Sequence, residues 1–440
     1  MFSPNCTFPS TPSGFVTAPG IRGTMNIIYT CAGILIICTW NVLHLNIPTQ
    51  STPRHGIQRF MRSALRLLPK IANLVAPELI LSKAWSEYLS VQSLQRDFEH
   101  YAKIDGVEWT HKHTHLANMG GFTFHRQYFG DFTWQQNLEM LEGGVWSLDA
   151  KQLLIARHLG IIERLPSLSV DSIDDRSKQD FLIKFLSALQ LIQFGAEILT
   201  RLLYQTSISQ LEVVTLTLAL PTLPAYYLWL GKPKDIYTTI DISVPAAKRP
   251  SVSNIRRLAK NGPRVLLPRQ LAGSLTPKSS SPALSLPNYV IHCGNSAGSV
   301  ESVENDGRDG YEIADGDIAV DTERVTIFSS VATTLTGAVH FLAWNSTLGN
   351  DSLRLLWRIS AVATMVSMPA MITVFYTATW FSRLKKLLRC NERIKCIAGF
   401  FWTILIIGRL LIGIVAFTSM WHLPPDAFTA SWAVYVPHLT

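Results

Sequence analysis

The chain has 440 residues, of which 48% are hydrophobic and only 16% charged, whereas a soluble domain carries about 25% charged residues. Its charges are clustered and leave long uncharged stretches, which predicts a multi-pass membrane protein rather than a soluble one. The net charge of +8 comes from short basic blocks beside apolar segments, a pattern typical of cytoplasmic loops. We therefore expect the lipid bilayer, and no nucleic acid, as the partner.

The N-terminal segment 1–24 has no charged region followed by an apolar core, so it does not resemble a cleavable signal peptide. We expect it to be a non-cytoplasmic tail, and the first span to act as an uncleaved anchor. No CxxC pair or zinc spacing occurs, which indicates free thiols. The six cysteines are Cys6, Cys31, Cys38, Cys293, Cys390 and Cys396.

Six segments are apolar over about 20 residues, the length that a helix needs to cross a bilayer. Because backbone polar groups in the hydrocarbon must be paired within the protein, these segments are expected to be α-helices. The sequence thus predicts an all-α fold, a polytopic transmembrane helical bundle. The six segments are residues 25–45, 182–203, 211–231, 325–344, 355–379 and 396–420.

These segments divide the chain into an N-terminal membrane block (25–231) with a cytoplasmic segment (91–181), a C-terminal three-helix block (325–420) and a tail (421–440). The region 66–130 has two interpretations. It is apolar in part but includes charged residues and a proline, so it forms either an interfacial helix with a buried hairpin or a second pair of spans. The total is accordingly six or eight spans.

Basic blocks orient the spans, because Lys and Arg concentrate in cytoplasmic loops. Residues 53–70, 232–278 and 383–395 are the three blocks, and six alternating spans place all of them on the cytoplasmic side with both termini opposite. N-glycosylation sequons agree with this orientation, since each falls on the predicted non-cytoplasmic side. They begin at Asn5, Asn345 and Asn350.

The loop 232–324 is basic in its first part and acidic in its second, without a helix or strand period. We expect it to be largely disordered. Its basic part, 232–278, lies beside a predicted span, so contact with anionic lipid is a further hypothesis.

The stretch "WTHKHTHLANMGGFTFH" contains three alternate histidines, His111, His113 and His115. Three imidazoles are able to bind zinc or copper, but no carboxylate follows at a spacing such as HExxH. We therefore expect no metal here and keep these histidines only as weak candidates. Gly120 and Gly121 allow a close approach, either of another backbone segment or of a ligand that packs on them.

Ionisable residues within the predicted spans mark the interior of the bundle, because a charge facing lipid is costly. These residues are His44, Glu197, His340 and Arg409. Glu197 continues a polar stripe begun by Gln190 and Gln193 at helical spacing. A pairing of Glu197 with Arg409 across the bundle is one hypothesis. The two roles left open are interhelical hydrogen bonding and a buried polar pocket for a lipophilic substrate.

Several short motifs occur in order along the chain. They are "CTWNVLHLNIP" (38–48), "LVAPEL" (74–79), Trp109, Thr110, His113, "MGGF" (119–122), "SKQDFLIKFLSALQ" (177–190), "LEVVTLTLAL" (211–220), "LWLGKPKDI" (228–236) and "SWAVYVPHL" (431–439). On these motifs the chain resembles a group of uncharacterised fungal multi-pass membrane proteins. The resemblance implies membership and topology but no catalytic residue, and it places a histidine only at His113 of the three.

Three functions remain at this stage. The first is a membrane-embedded enzyme or accessory protein acting on a lipophilic metabolite in a fungal natural-product pathway. Its candidate residues are Glu197, Arg409, His340 and His113. The second is a transporter or channel, although no inverted repeat is visible. The third is a sensor or scaffold that recruits partners through 232–324. No cofactor motif is found, and none is expected.

Overall fold

Most of the residues that the structure describes are helical. The structure is a computed structural model and describes residues 9, 11–12, 14–16, 22–48, 70–125, 145–177, 181–244, 251–262, 264–265, 290–291, 318–346, 348–380 and 391–429. The helices are α1 (Thr24–Trp40), α2 (Pro77–Asp105), α3 (His111–Asn118), α4 (Ala150–His158), α5 (Val170–Arg176), α6 (Phe181–Leu203), α7 (Gln210–Ala219), α8 (Thr222–Leu228), α9 (Val252–Lys260), α10 (Ile318–Val339), α11 (Asp351–Trp380) and α12 (Asn391–Ser419). The strands are β1 (Phe122–His125), β2 (Val145–Leu148), β3 (Ile240–Asp241), β4 (Arg264–Val265) and β5 (Val290–Ile291).

Four stretches of the described chain are long and apolar enough to cross a membrane. They are Gln210–Leu228, which comprises α7 and α8, Arg324–Ala343, Asp351–Val374 and Cys396–His422. They coincide with four of the six predicted spans. Helix α1 is apolar but has only 17 residues, and α6 carries three charged residues, Lys184, Glu197 and Arg201. Length and hydropathy therefore support four spans and do not confirm six or eight.

Contacts between helix ends define two opposite ends of the helical bundle. At the first, which we call the far end, the side chains of Arg22, before α1, and Arg201, at the end of α6, both donate to carbonyl oxygens of residues 427–429. At the second, which we call the domain end, Nζ of Lys234, after α8, donates to the carbonyl oxygen of Asn41, after α1, at 2.7 Å. Helix α1 and the α7–α8 stretch thus extend between the same two ends.

The chain re-enters the bundle between α1 and α2. Residues 70–75 are helical and α2 begins at Pro77, which is tolerated in a first helical turn because it lacks only an N–H that has no intrahelical partner there. The Val75 carbonyl oxygen accepts a hydrogen bond from Nη1 of Arg409 at 2.9 Å. Because Arg409 lies at the midpoint of Cys396–His422, this helix break lies at the middle depth of the bundle.

The two helical segments that flank the break, residues 70–75 and α2, both lead toward the domain end. Nδ2 of Asn73 donates to the carbonyl oxygen of Cys38, near the end of α1, at 3.0 Å. In the second segment, Glu87 of α2 accepts a hydrogen bond from Nε1 of Trp229, which follows α8. The two helical segments at the break thus form a hairpin inside the bundle, and no candidate span is found within the described residues 70–125. Both interpretations of 66–130 stay predictions.

The second half of α2 leaves the bundle and enters a peripheral domain. There it packs with α3, α4, α5 and α9 around one apolar core that includes Phe98, Trp109 and Phe124. A three-stranded sheet of order β2-β1-β3 completes this domain, with Phe122 opposite Leu148 on one side and opposite Ile240 on the other. The described chain is therefore mostly helical, as predicted, with a few short strands that were not predicted. The rule that favours helices applies only inside hydrocarbon, and the peripheral domain lies outside the bundle.

The loop 232–324 is also more structured than expected where it is described. Strand β3 and helix α9 belong to the peripheral domain, and Ile255 and Leu258 of α9 are buried in its core. Helix α10 begins within the predicted loop, at Ile318. Helix α9 has only nine residues, so its apolar positions Val252, Ile255 and Leu258 repeat too few times for their spacing to predict a helix from the sequence alone. The rest of the loop lies outside the described residues.

Gly121 offers a test of packing in the peripheral domain. A Cβ at this position would lie 2.6 Å from Cγ and 2.7 Å from the carbonyl oxygen of Leu116. Gly121→Ala should therefore lower the free energy of unfolding by about 1–3 kcal/mol, the usual range for overpacking. Gly195→Ala is the matched control, since no atom lies within 4 Å of its added Cβ. Thermal unfolding of the purified variants measures both, and equal melting temperatures would contradict this packing.

Candidate functional site

The three alternate histidines have different environments. His111 is exposed, whereas His113 and His115 are buried. His113 has a structural role at the start of α3: its Nδ1 accepts the backbone N–H of Thr110 at 3.1 Å, and its Nε2 donates to the Leu168 carbonyl oxygen at 2.8 Å. No group of three potential metal ligands is found among the described residues. His113 thus joins two segments of the peripheral domain.

The two glycines of "MGGF" end α3. Gly120 has a left-handed φ of 80°, which favours glycine. The Gly121 N–H donates to the Leu116 carbonyl oxygen at 2.9 Å, and the Gly121 carbonyl oxygen accepts from Ile240 of β3 at 2.7 Å. Both glycines are therefore explained by a helix end followed by a strand. The backbone that approaches them belongs to this chain, so a role in packing a ligand has no support here.

Glu197 does not pair with Arg409, contrary to the hypothesis. It lies at the far end in a buried network, 3.7 Å from Nε of Arg201 and 3.9 Å from Nη2 of Arg22. Glu212, at the start of α7, also forms an ion pair with Arg22 and caps its own helix through Ser209. The two arginines and two glutamates hold together the start of α1, the end of α6, the start of α7 and the segment after α12.

Arg409 pairs instead with Glu78, in the first turn of α2. Nη2 of Arg409 lies 2.9 Å from Oε2 of Glu78, and the two side chains are 8% and 1% exposed. The same nitrogen is 3.4 Å from Oγ1 of Thr336 on α10. We call Glu78 and Arg409 the mid-bundle pair, because it lies at the helix break and at the midpoint of the last span.

His340 lies one turn beyond Thr336, at the end of α10. It is buried, and its Nδ1 is 3.5 Å from Oγ1 of Thr217. Its ring packs edge-on against Trp357, whose Nε1 donates to the His340 carbonyl oxygen at 3.1 Å. The structure thus brings His340 toward the interior face that Arg409 occupies, and leaves Glu197 and His113 elsewhere.

The mid-bundle pair contains buried polar atoms without hydrogen-bond partners. They are both carboxylate oxygens of Glu78 and Nε of Arg409, and Oε2 of Glu78 has only its ion-pair contact with Arg409. Buried polar groups in proteins are nearly always hydrogen-bonded, and an unsatisfied one costs about 1–3 kcal/mol. One free acceptor and one free donor on an ion pair form a place where a polar group of a ligand fits.

A second buried charge cluster lies at the domain end around Glu87. Lys232 Nζ is 2.7 Å from Oε2 of Glu87, and Lys83 Nζ is 3.3 Å from Oε1. Lys232 also donates to the His44 carbonyl oxygen at 3.1 Å. Burial lowers the pKa of Lys232 to about 7, although Glu87 acts to raise it. We call Glu87, Lys83 and Lys232 the Glu87 cluster.

His44 packs beside this cluster, with its ring centroid 5.1 Å from that of Trp229. Its Nδ1 lies 2.8 Å from the Val42 carbonyl oxygen and must donate, since a carbonyl only accepts. Its Nε2 is buried and has no hydrogen-bond partner. Burial, together with the charges of Lys184 and Lys232, holds the pKa of His44 well below its usual value of 6.5, so the ring is neutral and Nε2 is a free acceptor.

The predicted sequons are described in part. Asn345 and Asn350 are exposed between α10 and α11, near the far end, where Gly349 approaches the ring of His422. Asn350 caps α11 through Ser352, with Oδ1 3.0 Å from its N–H. Asn5 lies outside the described residues. Glycosylation at all three stays a prediction.

Sequence reasoning missed Glu78, Glu87, Lys83 and Lys232. The first three lie in "PELILSKAWSEYL", where single charges alternate with apolar residues. Lys83 and Glu87 are four residues apart and share one face of α2, whereas Glu78 lies on the opposite face. Charges on two faces of an otherwise apolar helix are the signal for buried ionisable groups. Lys232 lies directly after a predicted span, which places it at the end of the bundle. The clustering of basic residues in 232–278 nevertheless assigns it to a cytoplasmic surface.

Comparison with known proteins gives a family but no activity. A family model described as a family of unknown function, DUF8562, matches residues 2–247, more than half of the chain. The matched region includes the Glu87 cluster and Glu78, but not Arg409. No curated protein and no solved structure matches the chain.

The Glu87 cluster predicts a non-additive response to substitution. Glu87→Gln leaves two buried lysines without their carboxylate, so it should lower the free energy of unfolding by about 3–5 kcal/mol. The double variant Glu87→Gln, Lys232→Met should recover part of this loss, because both partners of the closest pair are then removed. Glu99→Gln, an exposed position on the same helix, is the control. Lys232→Met alone completes the double-mutant cycle. Thermal unfolding in detergent measures the wild type and all of these variants, and additive losses would contradict a coupled cluster.

Proposed function

The chain belongs to the DUF8562 family of unknown function, and on that premise we propose that it is an integral membrane protein that binds a lipophilic metabolite within its bundle and acts on it, as an enzyme or as an accessory protein. The observation that carries this proposal is the mid-bundle pair, with its free acceptor on Glu78 and free donor on Arg409. An intramembrane ionisable residue is by default a candidate for function, since its burial has to be compensated.

The mid-bundle pair suits proton transfer on a substrate that arrives from the lipid. Oε1 of Glu78 is available to accept a proton from a substrate O–H or C–H, while Oε2 stays fixed by Arg409. Arg409 Nε is available to stabilise negative charge that develops on a substrate oxygen. The same two helices contribute an apolar cluster that includes Leu79, Trp402 and Leu405 and that suits a hydrophobic substrate body.

A transporter is the second candidate, and the helix break at Pro77 favours it. Broken helices at the middle of a bundle carry substrate and ion sites in many transporters. Conversion of a metabolite by detergent-solubilised membranes separates the two candidates, because an enzyme needs no compartment and a transporter does. A role in a fungal natural-product pathway, and a scaffold role for 232–324, both stay predictions, the latter mostly outside the described residues.

We also infer six spans, with α1 and α6 added to the four that length and hydropathy support. The 17 residues of α1 extend about 26 Å, near the lower limit for a span. Its two ends contact the far end and the domain end of the bundle, as those of the α7–α8 stretch do. Basic residues 53–70 and 232–278 support a cytoplasmic domain end and a non-cytoplasmic far end. Lys232 and Lys234, which start the proposed lipid-binding block, are however buried rather than on a free surface.

This topology predicts different access to two engineered cysteines. Asn345→Cys, exposed near the far end, should react with a membrane-impermeant maleimide on intact cells. Lys103→Cys, exposed on the peripheral domain, should react only after permeabilisation. The unmodified chain gives the background from its native thiols. Labelling of both positions from the same side of the membrane would overturn the six-span arrangement.

The proposed activity is tested by removing the charges of the mid-bundle pair. Glu78→Gln should reduce the metabolite formed by a strain that expresses the protein by about 100-fold or more, as loss of a general base does. Glu99→Gln, on the exposed face of the same helix, should leave it unchanged. Extracted metabolites are compared by mass spectrometry with those of strains that express the wild type or no protein.

The double variant Glu78→Gln, Arg409→Gln distinguishes chemistry from folding. Removing both charges should restore much of the thermal stability that either single variant loses, since no buried charge is then unpaired. It should not restore the metabolite. If the double variant restores the wild-type metabolite profile, the pair is structural and the proposal is wrong.

A further inference from the structure

The domain end of the bundle has more positive than negative charge on its buried and half-buried side chains. Four lysines converge there from three segments: Lys83 on α2, Lys184 on α6, and Lys232 and Lys234 after α8. The carboxylates that face them are Glu87, paired with Lys83 and Lys232, and Asp235 beside Lys234. Two other lysines lie at the rim, Lys70 over the Trp40 ring and Lys112 paired with Asp174. We call Lys83, Lys184, Lys232 and Lys234 the lysine cluster.

Backbone carbonyls hold several of these ammonium groups in place. Lys184 Nζ lies 3.4 Å from the carbonyl oxygen of Lys232, whose own Nζ donates to that of His44. Lys234 Nζ donates to the carbonyl oxygens of Trp40 and Asn41, at 3.2 and 2.7 Å. Carbonyl oxygens position a cation but carry no net charge, so they do not neutralise the cluster.

Burial of these ammonium groups is costly, and their pKa values show it. Burial lowers the pKa of Lys232 to about 7 and that of Lys234 to about 8, in spite of the neighbouring carboxylates. Buried cations are stable when they are paired, and an anion at this place would supply the missing partner. The lysine cluster therefore favours binding of an anionic ligand.

His44 adds a second, independent requirement for that ligand. Its Nε2 is a buried acceptor without a partner, and Lys184 is the charged residue that affects it most. An acceptor needs a hydrogen-bond donor, which a fully deprotonated anion does not have. The ligand must thus present both negatively charged oxygens and an O–H.

We propose that the lysine cluster and His44 bind a phosphate monoester group, with its charged oxygens on Lys184 and its neighbouring lysines and its O–H on His44 Nε2. A phosphate monoester has a second pKa near 6, so a protonated form is accessible at neutral pH. Sulfate has the same shape but carries no proton, and a carboxylate has only two oxygens. The group belongs either to the head of a lipid or to a water-soluble phosphate ester.

This site is separate from the mid-bundle pair and does not depend on the proposed function. Glu78 and Glu87 are nine residues apart on α2, about 14 Å along the helix. Failure of one proposal therefore leaves the other standing, since each has its own variants and its own measurement.

The experiment uses the full chain in nanodiscs of phosphatidylcholine. Inorganic phosphate and sulfate are titrated by isothermal calorimetry, and phosphate should bind at least about tenfold more tightly. Lys184→Gln should weaken phosphate binding about tenfold, as expected for a lost charge-assisted hydrogen bond. Lys184→Arg should retain it. Lys103→Gln, an exposed lysine of the peripheral domain, is the matched control and should behave as wild type. His44→Phe should abolish the preference for phosphate over sulfate.

A second arm identifies the source of the phosphate. Nanodiscs that contain phosphatidic acid should raise the melting temperature of the wild type, but not of Lys184→Gln, if the group is a lipid head. Binding of inorganic phosphate that depends on Lys184, without any effect of phosphatidic acid, supports a soluble ester. Equal affinity for phosphate and sulfate, or binding that Lys184→Gln leaves unchanged in folded protein, would overturn the proposal.

Discussion

The need to pair buried charge governs how the described helices are arranged. Glu78, Glu87, Glu197 and Glu212 are all largely buried, and each lies within 4.0 Å of an arginine or lysine. Removing a carboxylate from water costs several kcal/mol, which an ion pair offsets only when its geometry is good. The partners come from distant parts of the chain, so these pairs determine which helices are neighbours. The apolar surface of the helices alone would permit other arrangements.

Several of the sequence motifs supply residues that make long-range contacts. His44 in "CTWNVLHLNIP" and Lys232 in "LWLGKPKDI" are 188 residues apart, yet a hydrogen bond joins them. "LVAPEL" supplies the helix break and Glu78. Trp109 stacks on Phe98 in the peripheral core, with ring centroids 4.5 Å apart. These motifs thus contribute to the domain end, to the helix break and to the peripheral core.

Local patterns predicted the local features well. Uninterrupted apolar stretches gave the four spans that the structure supports, and burial of Glu197, His340 and Arg409 in the bundle followed from their position in such stretches. The partner of Arg409 could not be predicted from the sequence, because hydropathy is a property of one segment and pairing is a property of the whole fold. The role of Glu78 could not be predicted for the same reason. Its helix mixes apolar and charged residues, so it resembles neither a span nor a surface helix until its partners are known.

Helix α2 connects the parts of the molecule that carry its chemistry. It is one unbroken helix of 29 residues, about 44 Å long, from the mid-bundle pair past the Glu87 cluster to Phe98 in the peripheral core. Because the helix is continuous, a displacement at one end is transmitted toward the other except where the helix bends. A molecule that shifts Glu78 on binding would therefore change the free energy of whatever binds the peripheral domain, and thermodynamic linkage requires an equal effect in return. In this chain one continuous helix joins the middle of the helical bundle to the peripheral domain.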